Sequence, residues 1–159
     1  MKISTELSFN DAPEKTHVFG VFQNDGKGAP ICSRDEFGDL LEKLQKDEVF
    51  QSKKGQCYFI RATDDASPNL LFVGIGKIDE VKGETFRIAG ANLAKRLESE
   101  KVKAAALDFS SFFPKGVKEI STEKASLALA EGALFSQYSF NHYKSEKAKD
   151  PSLSEIVFY

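Results

Sequence analysis

The stretch "NLLFVGIGKIDEVKGETFRIAGANLAKRLES" (69–99) passes from an apolar run, through a Gly-x-Gly step, into a segment with helical periodicity. "LLFVG" (70–74) is apolar at every position, so both alternating faces of that strand are expected to be covered, as in a sheet sandwiched between helices. It is the candidate for the middle of the sheet. From Glu84 to Ser99, Phe86, Gly90, Leu93 and Leu97 fall on one helical face, while Arg87, Lys95 and Glu98 point away. A buried strand feeding an amphipathic helix is the unit from which α/β folds are built.

Working outward, the same alternation recurs. Ile3, Thr5, Leu7 and Phe9 alternate with polar residues, predicting a first strand near an edge. "THVFGVF" (16–22) predicts a second, closed by Asn24-Asp25-Gly26, whose residue types suit a tight turn. Ser33-Arg34-Asp35-Glu36 fits a capping box, opening a helix with Phe37, Leu40, Leu41 and Leu44 on its apolar stripe. "QCYFIRA" (56–62) and "KAAALDF" (103–109) predict further strands, with a turn from Asp64 to Asn69 between the first of these and the central one. Phe112-Phe113-Pro114 lies in a loop that must be tucked under something. Ser121 or Thr122 caps a long helix to about Tyr138, with Leu127, Ala130, Leu134 and Tyr138 in register. "KSEKAKDPSL" (144–153) is a polar connection and "SEIVFY" (154–159) a last strand. The expectation is an α/β fold with helical layers on both sides of the sheet, the early strands adding antiparallel pairings.

Bulk properties narrow the function. A chain of 159 residues suits one domain that buries roughly two thirds of its unfolded surface. Its longest apolar run is far short of the roughly 20 residues of a membrane span. "MKISTELSFNDAPEK" (1–15) has no apolar core of a secretion signal, so a cytoplasmic location is expected. Cys32 and Cys57 then read as reduced thiols. With 22 Lys and Arg against 24 Asp and Glu, the formal charge of -2 supplies no general attraction for nucleic acid.

Candidate chemistry is sparse. Gly74, Gly76 and Lys77 are the one ligand-binding candidate, a turn whose backbone amides would approach a phosphate. Asp79 stands where the dinucleotide fingerprint has its third glycine, and Ile78 follows the lysine where a P-loop has Ser or Thr. About seven residues separate Gly76 from the helix, too many to present its N-terminus to an anion. His17 and His142 lack partners at ligand spacing, so no metal site is assigned. No nucleophile elbow or Cys-His pairing is present, and Asp64-Asp65 reads as a solvated turn; no catalytic residue is assigned. Gly132 inside a helix costs about 1 kcal/mol relative to alanine, so something packs closely there. The alternatives are helix-on-sheet contact and a subunit interface. The aromatics of "FSQYSFNHY" (135–143) read as core and anchoring groups rather than a ligand cage.

Taken in order, "LLFVGIGK" (70–77), "ETFRIAGANLAKRL" (84–97) and "ALAEGALFSQYSFNHYKS" (128–145) resemble the amino-terminal domain of the leucyl aminopeptidase (cytosol aminopeptidase) family. The last segment carries Glu131, Gly132, Leu134, Tyr138, Phe140, Tyr143 and Lys144, with Asn141 where the family often has aspartate. The resemblance implies a three-layer α/β/α macro-domain-like fold with a mixed, mostly parallel central sheet. It implies a parent that is a two-metal (Zn or Mn) aminopeptidase, usually a homohexamer, removing amino-terminal residues such as leucine. In that family the metal ligands and catalytic residues lie in a separate carboxy-terminal domain, and its N-T-D-A-E-G-R motif occurs nowhere in these 159 residues. Residues 1–159 are therefore expected to be the isolated accessory domain, a truncated version or a natural fragment, inactive alone, with its catalytic domain and sister subunits as partners. The runner-up expectations are a macro-domain-like module binding ADP-ribose or a nucleotide at Gly74–Lys77, and a DNA-binding accessory domain.

Overall fold

The computed structural model describes residues 1–24, 29–137 and 151–159. Its strands are β1 (Lys2–Thr5), β2 (Thr16–Gln23), β3 (Cys57–Ile60), β4 (Asn69–Lys77), β5 (Ala104–Asp108) and β6 (Glu155–Phe158). Its helices are α1 (Gly38–Lys46), α2 (Gly83–Ser99), the single turn α3 (Phe109–Phe112) and α4 (Thr122–Ser136). The strands form one sheet in the order β1-β6-β5-β2-β4-β3, every pair parallel except β3 with β4.

Alternation along the strands divides the core into two layers. Val18, Phe22, Leu71, Val73, Ile75, Ala105, Leu107, Ile156 and Phe158 project to the side of α2 and α4. Phe19, Val21 and Phe72 project to the other side, where Leu41 and Leu44 of α1 and Phe50 cover them. The architecture is thus three layers, with α1 opposite α2 and α4.

Four expectations about the strands and the first helix need correction. β4 is not the middle of the sheet. It lies next to the edge strand β3, and β2 and β5 are central; burial on both faces marks coverage by helices, not distance from an edge. The early strands β1 and β2 are parallel to their neighbours, and the antiparallel pair is the β3–β4 hairpin, whose connection is too short for a crossover. β1 stops at Thr5 because its one partner, β6, is four residues long. Leu7 is consequently exposed, and Phe9 enters a 3₁₀ turn, its ring packed edge-on against His17, Phe19 and Tyr159. Ser33 caps no helix: a 3₁₀ turn over Asp35–Phe37 leads into α1, and its cap residue Arg34 makes no side-chain capping bond.

The largest correction concerns α4. Leu127 and Leu134 lie on its outer face, 60% and 46% exposed, while Ala125, Ala128, Leu129, Gly132 and Ala133 are buried. Tyr138 lies outside the described residues, as do Asp25, Gly26 and most of the polar connection. The inward face is small because α4 crosses α2 in backbone contact. A Cβ on Gly132 would lie 2.0 Å from the Arg87 carbonyl oxygen, and one on Gly90 would lie 2.0 Å from that of Leu129. Gly132 therefore faces a helix, not the sheet or another subunit. Ser121 does cap α4, its hydroxyl accepting from the Lys124 amide at 3.3 Å. At the same crossing Arg87 donates to Glu84 of its own helix at 2.6 Å and, across to α4, to Glu131 at 3.1 Å.

Since the opposing atoms at the crossing are main chain, they cannot move aside as a flexible side chain would. Gly132→Ala is expected to destabilise the fold by about 2 kcal/mol, as an overpacking cost of about 3 outweighs the roughly 1 kcal/mol gained in helix propensity. Urea unfolding of the variant beside the parent chain measures this.

Candidate functional site

Gly74, Gly76 and Lys77 do not form a turn. β4 runs through them to Lys77, with a bulge against β2 where Val21 pairs with Gly74 and Phe22 with Gly76. The loop after α1 rests on this bulge. A Cβ on Gly74 would meet the Lys53 carbonyl oxygen at 2.2 Å, so glycine is required for the approach. Gly76 has φ of +86°, a left-handed conformation that favours glycine. The amides are engaged: Gly74 N–H donates to the Gln56 carbonyl at 2.7 Å and Gly76 N–H to that of Ser52 at 3.0 Å. Lys77 Nζ lies 3.9 Å from a Glu80 carboxylate oxygen. The Gly-x-Gly step thus has a local job in seating a loop.

A second cluster, which sequence reasoning missed, forms at the C-terminal end of the central strand β5, where open α/β sheets commonly place their sites. Asp108 ends β5 with its side chain 3% exposed. Its carboxylate accepts from Arg34 Nε at 2.9 Å and from the Ser110 hydroxyl at 2.5 Å. The Ser111 hydroxyl donates to the Asp108 carbonyl at 2.6 Å and accepts from the Gly20 amide at 2.7 Å. Arg34 also sits 5.0 Å from the centre of the Phe9 ring, within cation–π range. One side of this group opens into a cleft of about 430 Å³ lined by Phe9, His17, Phe19, Arg34, Phe37 and Leu70 among others. The signal in the sequence was an aspartate ending an apolar strand before two serines, but its partner Arg34 is 74 residues away in the chain.

The remaining candidates are dispersed. His17 lies on β2 facing the cleft; burial lowers its pKa, against an opposing pull from Glu14. His142 lies outside the described residues. Asp64 closes a turn, accepting from the Ala66 and Ser67 amides at 2.9 and 2.7 Å and from the Ser67 hydroxyl. Cys32 and Cys57 are unpaired thiols, and burial pushes Cys57 up to about 12. Among the described residues no three His, Cys, Asp or Glu side chains converge where they could hold a metal ion. Nor, among the described residues, is any helix long and apolar enough to cross a membrane.

Two outcomes follow from this geometry. Asp108→Ala is expected to cost about 2 kcal/mol in urea unfolding, less than the roughly 3–5 kcal/mol of breaking a fully buried pair because Arg34 keeps partial access to water. Cys57, held protonated by burial, is expected to react with iodoacetamide at pH 8 about tenfold or more slowly in the folded chain than in urea. The thiol's raised pKa favours the fold below the ordinary value of 9.0, and that contribution is lost as pH rises through about 12. Mass spectrometry of the labelled peptides reads the rates.

Comparison with known proteins places the chain. Residues 18–147 match the model of the "Cytosol aminopeptidase family, N-terminal domain". A "Probable cytosol aminopeptidase" of Clostridium perfringens is 32% identical over 117 residues, which is 73% of this chain and 23% of that protein. The chain spans about a quarter of the length of the curated relatives it matches. Among solved structures, a tomato leucine aminopeptidase variant superposes with a TM-score of 0.69 at 18% identity, covering 99% of this chain and 32% of that one. The macrodomain of Thermus aquaticus DarG superposes with a TM-score of 0.64 at 12% identity, covering 99% and 97%. The two structures share the fold, and the family match adds the lineage: this chain belongs to the cytosol aminopeptidase family and corresponds to its N-terminal, macro-like domain.

Proposed function

We propose that residues 1–159 are the accessory amino-terminal domain of a longer, cytoplasmic, two-metal leucyl aminopeptidase. The observation that carries this reading is the match of residues 18–147 to an N-terminal domain whose relatives are about three times as long as this chain. In this reading the hydrolytic chemistry, with its pair of zinc or manganese ions, belongs to a separate catalytic domain. The ions would there activate water and polarise the peptide carbonyl. This domain's work is to organise subunits, as a homohexamer in the parent, and to shape access of peptides to the active site.

The residues support a scaffolding role in a specific way. Glu131 and Gly132, two of the residues that carry the resemblance, are committed to the α2–α4 crossing through Arg87 and its carbonyl oxygen. Gly74 and Gly76 are committed to the loop at Ser52–Gln56. Tyr138, Phe140, Tyr143 and Lys144 lie outside the described residues.

A second reading, an ADP-ribose or nucleotide module, has the macrodomain fold in its favour. Against it, the Gly74 and Gly76 amides that would cradle phosphate already donate within the chain. DNA binding has neither a basic balance nor a motif behind it.

The purified 159-residue chain is expected to give no leucine-p-nitroanilide turnover with manganese or zinc added, and turnover would overturn the accessory reading. Calorimetry with millimolar ADP-ribose is expected to show no heat; saturable heat would instead favour the nucleotide module. A mobility shift with duplex DNA, lost as salt is raised, would favour the third reading.

A further inference from the structure

The cleft beside the Arg34–Asp108 pair, about 430 Å³, has the size of a site for a small molecule, near the lower end of the roughly 300–1,000 Å³ that such pockets span. Its wall is largely aromatic. Phe9 and His17 meet edge to face at 4.9 Å, Phe19 and Phe37 stand 5.0 Å apart, and Leu70 extends the apolar lining. Phe9, Phe37 and Leu70 are only half-buried, so an apolar group entering the cleft would take more of their surface out of water.

Two side chains of opposite charge share this lining: Arg34, and Glu36 on the 3₁₀ turn that follows it. Asp108 takes one N–H of the guanidinium, at Nε. The two terminal amino groups have no acceptor among the described residues, and 31% of the side chain is exposed. The Glu36 carboxylate has no partner among them either.

This balance of charge selects the ligand. A bare anion at Arg34 would also face Asp108 and Glu36, and a bare cation at Glu36 would face Arg34. A molecule with one carboxylate and one ammonium beside an apolar group answers both and adds no net charge. A free apolar amino acid carries all three on one carbon, whereas a peptide separates its terminal charges.

We propose that this cleft binds a free apolar α-amino acid, with its carboxylate on the terminal amino groups of Arg34, its ammonium on Glu36 and its side chain among Phe9, Phe19, Phe37 and Leu70. Such an amino acid is what the proposed parent enzyme releases, so the site would let product act on a domain separate from the catalytic one. The inference rests on the accessory-domain reading for that setting alone. Binding to the 159-residue chain is measured without hydrolysis, so either can fail without the other.

Isothermal titration with millimolar L-phenylalanine is expected to give saturable heat, and L-leucine to bind about threefold more weakly for want of ring-on-ring contact. Phenylalaninamide lacks the carboxylate and 3-phenylpropanoate lacks the ammonium; each is expected to bind about fivefold more weakly than phenylalanine. Glu36→Gln, at an exposed turn position, is expected to weaken phenylalanine about fivefold while leaving 3-phenylpropanoate unchanged, a split that loss of folding would not produce. Amide NMR locates the site, with shifts on titration expected at 9–10, 17–19, 34–37 and 67–70. The proposal is overturned by absence of saturable heat with either amino acid, by a truncated ligand that binds as well as phenylalanine, by a Glu36→Gln variant that binds phenylalanine unchanged, or by shifts that gather elsewhere.

Discussion

The close approach of α2 and α4 is the constraint on which the rest of the molecule depends. At Gly90 and Gly132 the two helices touch through their main chains, each glycine facing a carbonyl oxygen of the other helix. Nothing with a Cβ fits there without backbone movement. The contact fixes the rotation of α4, and that rotation sends the small residues Ala125, Ala128 and Ala133 inward and Leu127 and Leu134 outward. With the helices joined in this way, Phe86, Leu93 and Leu97 of α2 reach the sheet and build its larger core layer. Arg87, steadied by Glu84 of its own helix, ties the crossing from outside by bonding Glu131 of α4.

The opposite layer is thinner and is organised by aromatic rings rather than by helix contact. Phe19, Phe37, Phe50 and Phe72 pack against one another beneath α1. Beside them Phe9 stands in for a longer first strand, and Arg34 reaches across to the buried end of β5. The Asp108 carboxylate would be costly to bury alone. It is kept by a guanidinium and a hydroxyl, while the adjacent Ser111 stitches β5 to β2 through the Gly20 amide. The buried polar groups at this end of the sheet are therefore satisfied within the chain.

The same reasoning separates the two glycine-rich features of the sequence. The Gly-x-Gly step and the E-G pair both look like functional motifs when read as strings. In the folded chain each lets one backbone approach another: a loop at Gly74, a helix at Gly132. In both features the glycines are residues that permit close packing.

The periodicities alone determined that the chain alternates strands and helices, that 70–74 is covered on both faces, that a helix runs from about Glu84 to Ser99, and that no nucleotide fingerprint or metal-ligand spacing is present. These are local properties, written in spacings of two to four residues. Tertiary structure decided the strand order, because burial on both faces does not say how far a strand lies from an edge. It decided which face of α4 is inside, since Leu127 and Leu134 satisfy a helical period as well as the small residues do, and only the partner helix distinguishes them. It also assembled Arg34 with Asp108 and spent the Gly74 and Gly76 amides on Gln56 and Ser52. Contacts between segments far apart in the chain leave no periodic trace in either segment, so they become visible only when the sheet brings those segments together.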